Sequence, residues 1–397
     1  MTKWAYRLVL ILIIAAGVLS VVLTFKDIRF LPHADEGCYF RYASFISVNG
    51  LSGFSELFKN YLFDPHLWLF PSPLRVGYIC LSAIWLRLTG PSFINLAYLS
   101  LVFYAFLLLI SYYFSRKYLG PRLALFFTAL LAFSPLQMAL SRRVLLESAP
   151  ILFCTLSIWL FWEFLQKKNH LKLSLFIMVY SFSILVRESA LFLTVPFLIM
   201  LLMDRFVYRR ECVLKYFILV LLLPSLIVFM IYVFLGCLPY VFSVANIVLG
   251  PPQANPYAVL FGSGPWYRYL IDYLLLSPWI VILSIGFIFY FFLNRLKDNL
   301  VVYFFVIFIS NLILLNCFNK NLRYAMNLDL PLRLFSLLMV DTLAHKFFSR
   351  QAAKVVFILV VLLLASDYLN FYHLFVQEAI YDPTSFSLLR ARQMIPF

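Results

Sequence analysis

Chemistry in this chain is carried by a few polar segments set among long apolar runs. The first is His33-Ala34-Asp35-Glu36-Gly37-Cys38-Tyr39-Phe40-Arg41-Tyr42. Two adjacent carboxylates repel, which raises one pKa, while an aromatic and basic surround holds the other as a base suited to proton transfer. A plainer role is compatible with this one: Asp35 caps a helix from Glu36 to about Val48, with Tyr39, Phe40 and Ala43 on its apolar face. The second segment, Ser141-Arg142-Arg143-Val144-Leu145-Leu146-Glu147-Ser148-Ala149-Pro150, offers an acid beside bases. Read as helix, it puts Glu147 one turn beyond Arg143 at i+4, and Pro150 suits the first turn of a following span; snorkelling of Arg142 and Arg143 is the alternative.

The third is Arg187-Glu188, flanked by apolar runs of about 14 residues. Runs that short sink their apex below the surface and put Arg187 in a cavity, or the two residues simply pair with each other. The fourth is Asn319-Lys320-Asn321-Leu322-Arg323-Tyr324, followed by Asp329 and Arg333. The arginine donor fork matches phosphate oxygens, and a cationic rim above an apolar bundle suits a phosphate on a lipid tail; interfacial anchoring is the other reading. In Gly262-Ser263-Gly264-Pro265-Trp266-Tyr267-Arg268-Tyr269, the aromatics form an interfacial belt or a stacking surface for a sugar ring.

The elements that must position these groups follow from composition. Of 397 residues 64% are hydrophobic and 12% charged, with mean hydropathy +0.94. An ordinary soluble enzyme has about half apolar and a quarter charged residues, so the expected class is an all-α polytopic membrane protein. The net charge of +15 comes from bases that punctuate apolar runs, so topology and anionic lipid account for it and no nucleic-acid partner is expected. The six cysteines show no CxxC pair and no zinc spacing, and no disulfide framework is expected.

A spanning helix needs about 20 mostly apolar residues. Residues 8–25 meet this as a retained signal anchor with a cytoplasmic N-terminus. Val76 to Leu88 has 13 residues between Arg75 and Arg87, behind Pro71 and Pro73, and is too short to cross comfortably. Laying it in the interface puts Arg116, Lys117 and Arg122 inside, as the positive-inside bias requires. Ten further spans then alternate, at 93–114, 123–140, 151–164, 173–186, 191–203, 217–235, 269–293, 301–315, 324–338 and 355–369, eleven in all. Arg205, Arg209, Arg210, Lys215, Arg295 and Lys297 fall inside, and every polar segment above falls outside. The expected organisation is a single membrane domain over 1–397: first span 8–25, first outer loop 26–92 with interfacial helices including 51–62, core spans 93–235, outer loop 236–268, C-terminal spans 269–370 and a short outer tail 371–397.

These residues in this order resemble the GT-C superfamily of polyprenyl-phosphate-sugar-dependent glycosyltransferases. Asp35-Glu36 after the first span is similar to that superfamily's first-loop carboxylate motif. Ser141-Arg142 to Glu147 with Pro150 is similar to the "SR…L.D..P" motif of the dolichyl-phosphate-mannose-protein mannosyltransferase and lipid A aminoarabinose transferase branch, with Glu147 in place of Asp. Arg323-Tyr324 with Pro331 is similar to the branch's "RY…P", while Pro71-Ser72-Pro73 loosely matches its Lys-Pro-Pro element without the Lys. The resemblance implies juxtamembrane helices in the first outer loop and inverting transfer of a sugar from a polyprenyl-phosphate donor to a lipid, glycan or protein acceptor. The expected setting is the outer face of a bacterial inner membrane. It implies Asp35 as general base, and Glu36 and Glu147 as orienting groups or ligands of a divalent metal if one is used. Arg142, Arg143, Arg187 and Arg323 would hold the donor phosphate, and Tyr39, Trp266, Tyr267 and Tyr324 would contact substrate. No other cofactor is expected. A lipid or glycan transporter is the main rival; it would call for inverted repeats and mid-span carboxylates, and only Asp329 and Asp367 lie mid-span.

Overall fold

In the computed structural model, residues 2–207, 214–250, 262, 264–295, 298–317 and 320–394 are described. Arg209, Arg210, Lys297, Asn319 and residues 251–261 and 263 of the outer loop expected at 236–268 lie outside them. The protein is an all-α polytopic membrane protein, 83% helical with no strand among the described residues.

The first half of the chain forms α1 (Lys3–Val22), α2 (Asp35–Asn49), α3 (Gly53–Phe63), α4 (Val76–Thr89), α5 (Phe93–Ala132), α6 (Pro135–Ser141), α7 (Ser148–Lys167) and α8 (His170–Val186). The second forms α9 (Thr194–Phe206), α10 (Leu214–Phe234), α11 (Leu238–Leu249), α12 (Arg268–Leu276), α13 (Pro278–Leu293), α14 (Asn299–Asn316), α15 (Met326–Phe347), α16 (Ala352–Phe371) and α17 (Ser385–Ala391). Among the described residues, seven helical segments are long and apolar enough to cross a membrane, against the eleven expected. Two expected spans, 173–186 and 269–293, coincide with shorter apolar helices, α8 and α13. The span expected at 324–338 lies in α15, whose Asp329, Arg333 and Asp341 dilute its apolar character. The expected pair 93–114 and 123–140 is separated inside α5 at Gly120, whose φ of 78° only glycine adopts without strain, next to Pro121. The second member then ends at Ser134, which starts α6 with its side chain on the Gln137 N–H.

The chain divides into two compact units. One comprises residues 29–103 and 143–259, the other 1–28, 104–142 and 260–397. In the first, α7 is the core: most of its residues are buried, Trp159 fully so. It turns back into α8 through Lys168, in the left-handed conformation, and Asn169, whose side chain accepts from the Leu171 and Lys172 N–H groups. α4 packs against α2 on one side and α8 on the other. A β-carbon on Gly77 would stand 3.0 Å from the Val186 nitrogen and the Leu185 carbonyl carbon, so glycine is what lets α4 approach the end of α8. α10 leaves Ile218, Leu222, Leu226 and Met230 exposed, as a lipid-facing helix requires, since hydrocarbon imposes no cost on apolar surface.

Three local expectations are corrected. Asp35 is the first residue of α2 and not its cap; Ala34 holds the cap position and offers no side-chain bond. Arg143 and Glu147 do not form an i+4 pair, because α6 ends at Ser141 and the chain stays non-helical until Ser148. The stretch expected as loop at 236–268 contains an apolar helix, α11.

Candidate active site

The first turn of α2 is the starting point. Leu31 to Ala34 folds back over it so closely that a β-carbon on Gly37 would lie 1.8 Å from the Pro32 carbonyl oxygen. That fold-back brings the Leu31 N–H to Glu36 Oε2 at 2.7 Å. The non-helical stretch after α6 delivers two more donors to the same carboxylate, Val144 N–H at 3.2 Å and Arg143 Nη1 at 3.4 Å. Glu36 is completely buried. Burial pushes its carboxyl above the usual carboxylate value, against the opposing pull of Arg143 and the two amides. Asp35, one residue earlier, is half-buried and follows the polar turn into solvent-accessible space.

One helical turn on, the Tyr39 hydroxyl accepts a hydrogen bond from Arg75 Nη1. Arg75 occupies the residue before α4, and its guanidinium also forks onto Glu188, with Nη2 to Oε1 at 3.1 Å and Nε to Oε2 at 3.2 Å. Glu188 follows the extended Arg187 at the end of α8. Arg187 turns the other way and lies 3.8 Å from Glu147 Oε1, both side chains being buried. The adjacent pair Arg187 and Glu188 therefore bond to different partners, contrary to a local ion pair. Tyr39 is the common neighbour: the charges of Arg75, Glu147, Asp35 and Arg187 all reach its hydroxyl. Burial above all drives that hydroxyl's pKa well above its ordinary value, with Arg75 opposing, so it stays a neutral hydrogen-bonding group.

The result is a cluster of three carboxylate–guanidinium pairs, Glu36 with Arg143, Glu147 with Arg187 and Glu188 with Arg75, beside Asp35. Every pair joins residues far apart in the chain. Buried guanidiniums held by carboxylates present planar donor arrays that an oxyanion can share, and a half-exposed carboxylate beside them can take a proton. Among the described residues no three of His, Cys, Asp and Glu converge as a metal would need.

Of the residues expected at the site, Asp35, Glu36, Tyr39, Arg143, Glu147 and Arg187 belong to this unit. Arg142, Trp266, Tyr267, Arg323 and Tyr324 belong to the other. There Arg142 is buried and donates to the Thr24 carbonyl at 2.9 Å and the Phe375 carbonyl at 3.1 Å, above the Phe371 ring. Arg323 pairs with Asp382 at 3.1 Å, and Tyr324 is half-buried beside it. Trp266 and Tyr267 are exposed and meet edge to face with centroids 5.6 Å apart. Arg75 and Glu188 are central in the structure although the sequence singled out neither for this role. The available signal was scarcity: Arg75 is a guanidinium at the threshold of an apolar helix in a chain with few charges.

Residues 73–234 match the family model of dolichyl-phosphate-mannose-protein mannosyltransferase. The match covers about two fifths of the chain and contains Arg75, Arg143, Glu147, Arg187 and Glu188. Among curated proteins none is similar enough to the chain to count as a match.

Proposed function

We propose that this protein is an integral membrane glycosyltransferase that moves a sugar from a polyprenyl-phosphate donor to a hydroxyl of a lipid, glycan or protein acceptor. The observation that carries the reading is the gathering of three acid–guanidinium pairs from four separate stretches of chain, two of them reaching the Tyr39 hydroxyl and the third formed by Glu36 one helical turn before it, next to Asp35, in an otherwise apolar helical protein. Its similarity over 73–234 to mannosyltransferases supports the same class.

In the proposed step the acceptor oxygen attacks the anomeric carbon from the face opposite the phosphate. The new C–O bond forms as the bond from the anomeric carbon to the phosphate oxygen breaks, with inversion. Asp35 takes the acceptor proton, and the polyprenyl phosphate leaves with the bonding pair. Charge grows on the phosphate during the step, and guanidiniums aimed at it lower the barrier because they are already oriented. Arg143 and Arg187 are assigned to that task, and Arg142 and Arg323 of the other unit are read separately as phosphate ligands. Glu36 and Glu147 hold Arg143 and Arg187 and orient substrate, and Tyr39 donates a hydrogen bond; in the other unit, Trp266, Tyr267 and Tyr324 are read separately as aromatic surface for a sugar or acceptor. We place the N-terminus in the cytoplasm of a bacterial cell, α4 along the membrane surface and the site on the outer face, following the distribution of Lys and Arg.

The test is Asp35→Asn in purified protein given a labelled polyprenyl-phosphate sugar. A general base contributes roughly 10²- to 10⁴-fold in rate, so turnover should fall at least about 100-fold while the thermal unfolding midpoint stays unchanged. Full activity in this variant removes Asp35 as the base, and no transfer from any polyprenyl-phosphate sugar by the wild type removes the reading itself.

A further inference from the structure

The unit that contains residues 260–397 holds a second polar cluster, made by the start of α12, the turn before α15 and the segment that leads into α17. Asp382 lies 3.1 Å from Arg323 Nε and accepts from Asn321 Nδ2 at 2.8 Å. Three residues on, Ser385 Oγ accepts from Arg268 Nε at 2.7 Å and donates to Asp272 Oδ1 at 2.5 Å. Lys320 ties the turn to the preceding loop, its backbone N–H on the Gly262 carbonyl at 2.8 Å and its Nζ on the Gly264 carbonyl at 2.7 Å. Arg268 and Arg323 are both buried. So is Tyr269, whose hydroxyl lies beside the Asn321 backbone N–H and within electrostatic reach of Tyr324, Arg268 and Asp272, with no side-chain partner for its own proton among the described residues.

Charge and donor inventory say what this cluster takes. Two buried guanidiniums, Arg268 and Arg323, lie here with the carboxylates of Asp272 and Asp382, Lys320 adds a positive charge at the adjoining turn, and the buried phenol adds a donor. Buried guanidiniums accompanied by a neutral O–H suit a tetrahedral oxyanion. One short segment reaches both arginines, Arg268 being also paired with Asp272 of its own helix at 3.6 Å: Asp382 and Ser385 flank Thr384, whose side chain accepts from the Ser387 N–H to start α17. A carboxylate oxygen on Arg323 stands where a phosphate oxygen would stand.

We propose that Arg323, Arg268 and Tyr269 form a phosphate-ester site whose resident counter-ion is Asp382, so that a bound phosphate ester displaces the segment carrying Asp382 and Ser385. The proposal rests on the reading of Arg323 as a ligand of the donor phosphate and extends it to Arg268, Tyr269 and a built-in competitor.

The experiment uses the full chain in lipid nanodiscs with geranyl phosphate, geraniol and inorganic phosphate as probes. Asp382→Asn keeps a hydrogen-bonding side chain but removes the competing charge, and geranyl phosphate should bind it about tenfold more tightly than wild type, equivalent to about 1.4 kcal/mol. Geraniol binding should not change, and Arg323→Gln and Tyr269→Phe should each weaken geranyl phosphate. In the wild-type protein, geranyl phosphate should raise amide hydrogen exchange in residues 385–391, a readout that needs no variant. An equal response to inorganic phosphate supports the site with a free anion as its ligand; a response to the ester alone supports a lipid phosphate. Unchanged or weaker binding by Asp382→Asn, or exchange that does not move in the wild type, overturns the proposal. Tighter binding by Asp382→Asn in a protein that transfers no sugar retains the site and refutes the transferase reading. Sugar transfer with unchanged Asp382→Asn affinity does the reverse.

Discussion

The exchanged pairing at the end of α8 can be tested by double-mutant cycles. Arg75 and Glu188 meet through two contacts of 3.1 and 3.2 Å. Charge-assisted hydrogen bonds contribute about 1.5 to 3 kcal/mol each when dry, whereas a solvent-exposed pair contributes about 1 or less. The side chains are 15% and 31% exposed, so solvent screening moves the figure toward the lower limit, and a coupling energy of about 1 to 2.5 kcal/mol is expected for the cycle Arg75→Ala with Glu188→Ala. The cycle Arg187→Ala with Glu188→Ala should give less than half of that, although the two residues are adjacent in sequence, because Arg187 bonds to Glu147. The assay is thermal unfolding of purified protein. For a unit of about 190 residues, 1 kcal/mol corresponds to about 2 to 4 °C, so Arg75→Ala should lower the midpoint by several degrees and adding Glu188→Ala should lower it little further. Additive losses for Arg75 and Glu188, together with strong coupling between Arg187 and Glu188, would refute the pairing and the placement of Arg75 at the site.

Three other outcomes are expected. Gly37→Ala forces a methyl against the Pro32 carbonyl and should cost more than about 3 kcal/mol, with loss of activity, because the Leu31–Ala34 turn must leave Glu36; a normal midpoint would show that the fold-back is not as tight as described. Arg333→Met leaves Asp329 and Asp367, now 2.9 and 2.7 Å from the guanidinium, buried without their cation. It should cost about 3 to 5 kcal/mol, and adding Asp329→Asn and Asp367→Asn should restore much of it, as thermal midpoints will show. Glu36 has a pKa raised by burial, so its contribution to stability is complete below its ordinary value of 4.5 and is lost as pH climbs through the raised value. Midpoints measured from about pH 4 to 8 should therefore fall for wild type relative to Glu36→Gln; a constant difference would show that the two amides and Arg143 cancel the effect of burial, and a rising one that they outweigh it.

Length and hydropathy of the apolar runs made the helical membrane class legible in the sequence, since a span must bury its whole backbone in hydrogen bonds and cover about 30 Å of hydrocarbon. The same reasoning located α2, α3 and α4 to within a residue or two at most of their ends, and it marked Asp35, Glu36, Glu147 and Arg187 by the rarity of charge in such a chain. Pairing was not legible. Reading along the chain suggested Arg143 with Glu147 and Arg187 with Glu188, yet Arg143 bonds to Glu36, 107 residues away, and Arg75 to Glu188, 113 residues away. Hydropathy reports how each segment meets its solvent, a property of the segment alone. Which guanidinium meets which carboxylate depends on where helix ends arrive, and that was decided by the close crossing of α4 over the end of α8 at Gly77 and by the fold-back of Leu31–Ala34 onto α2. Both are contacts between segments, and only the folded chain contains them.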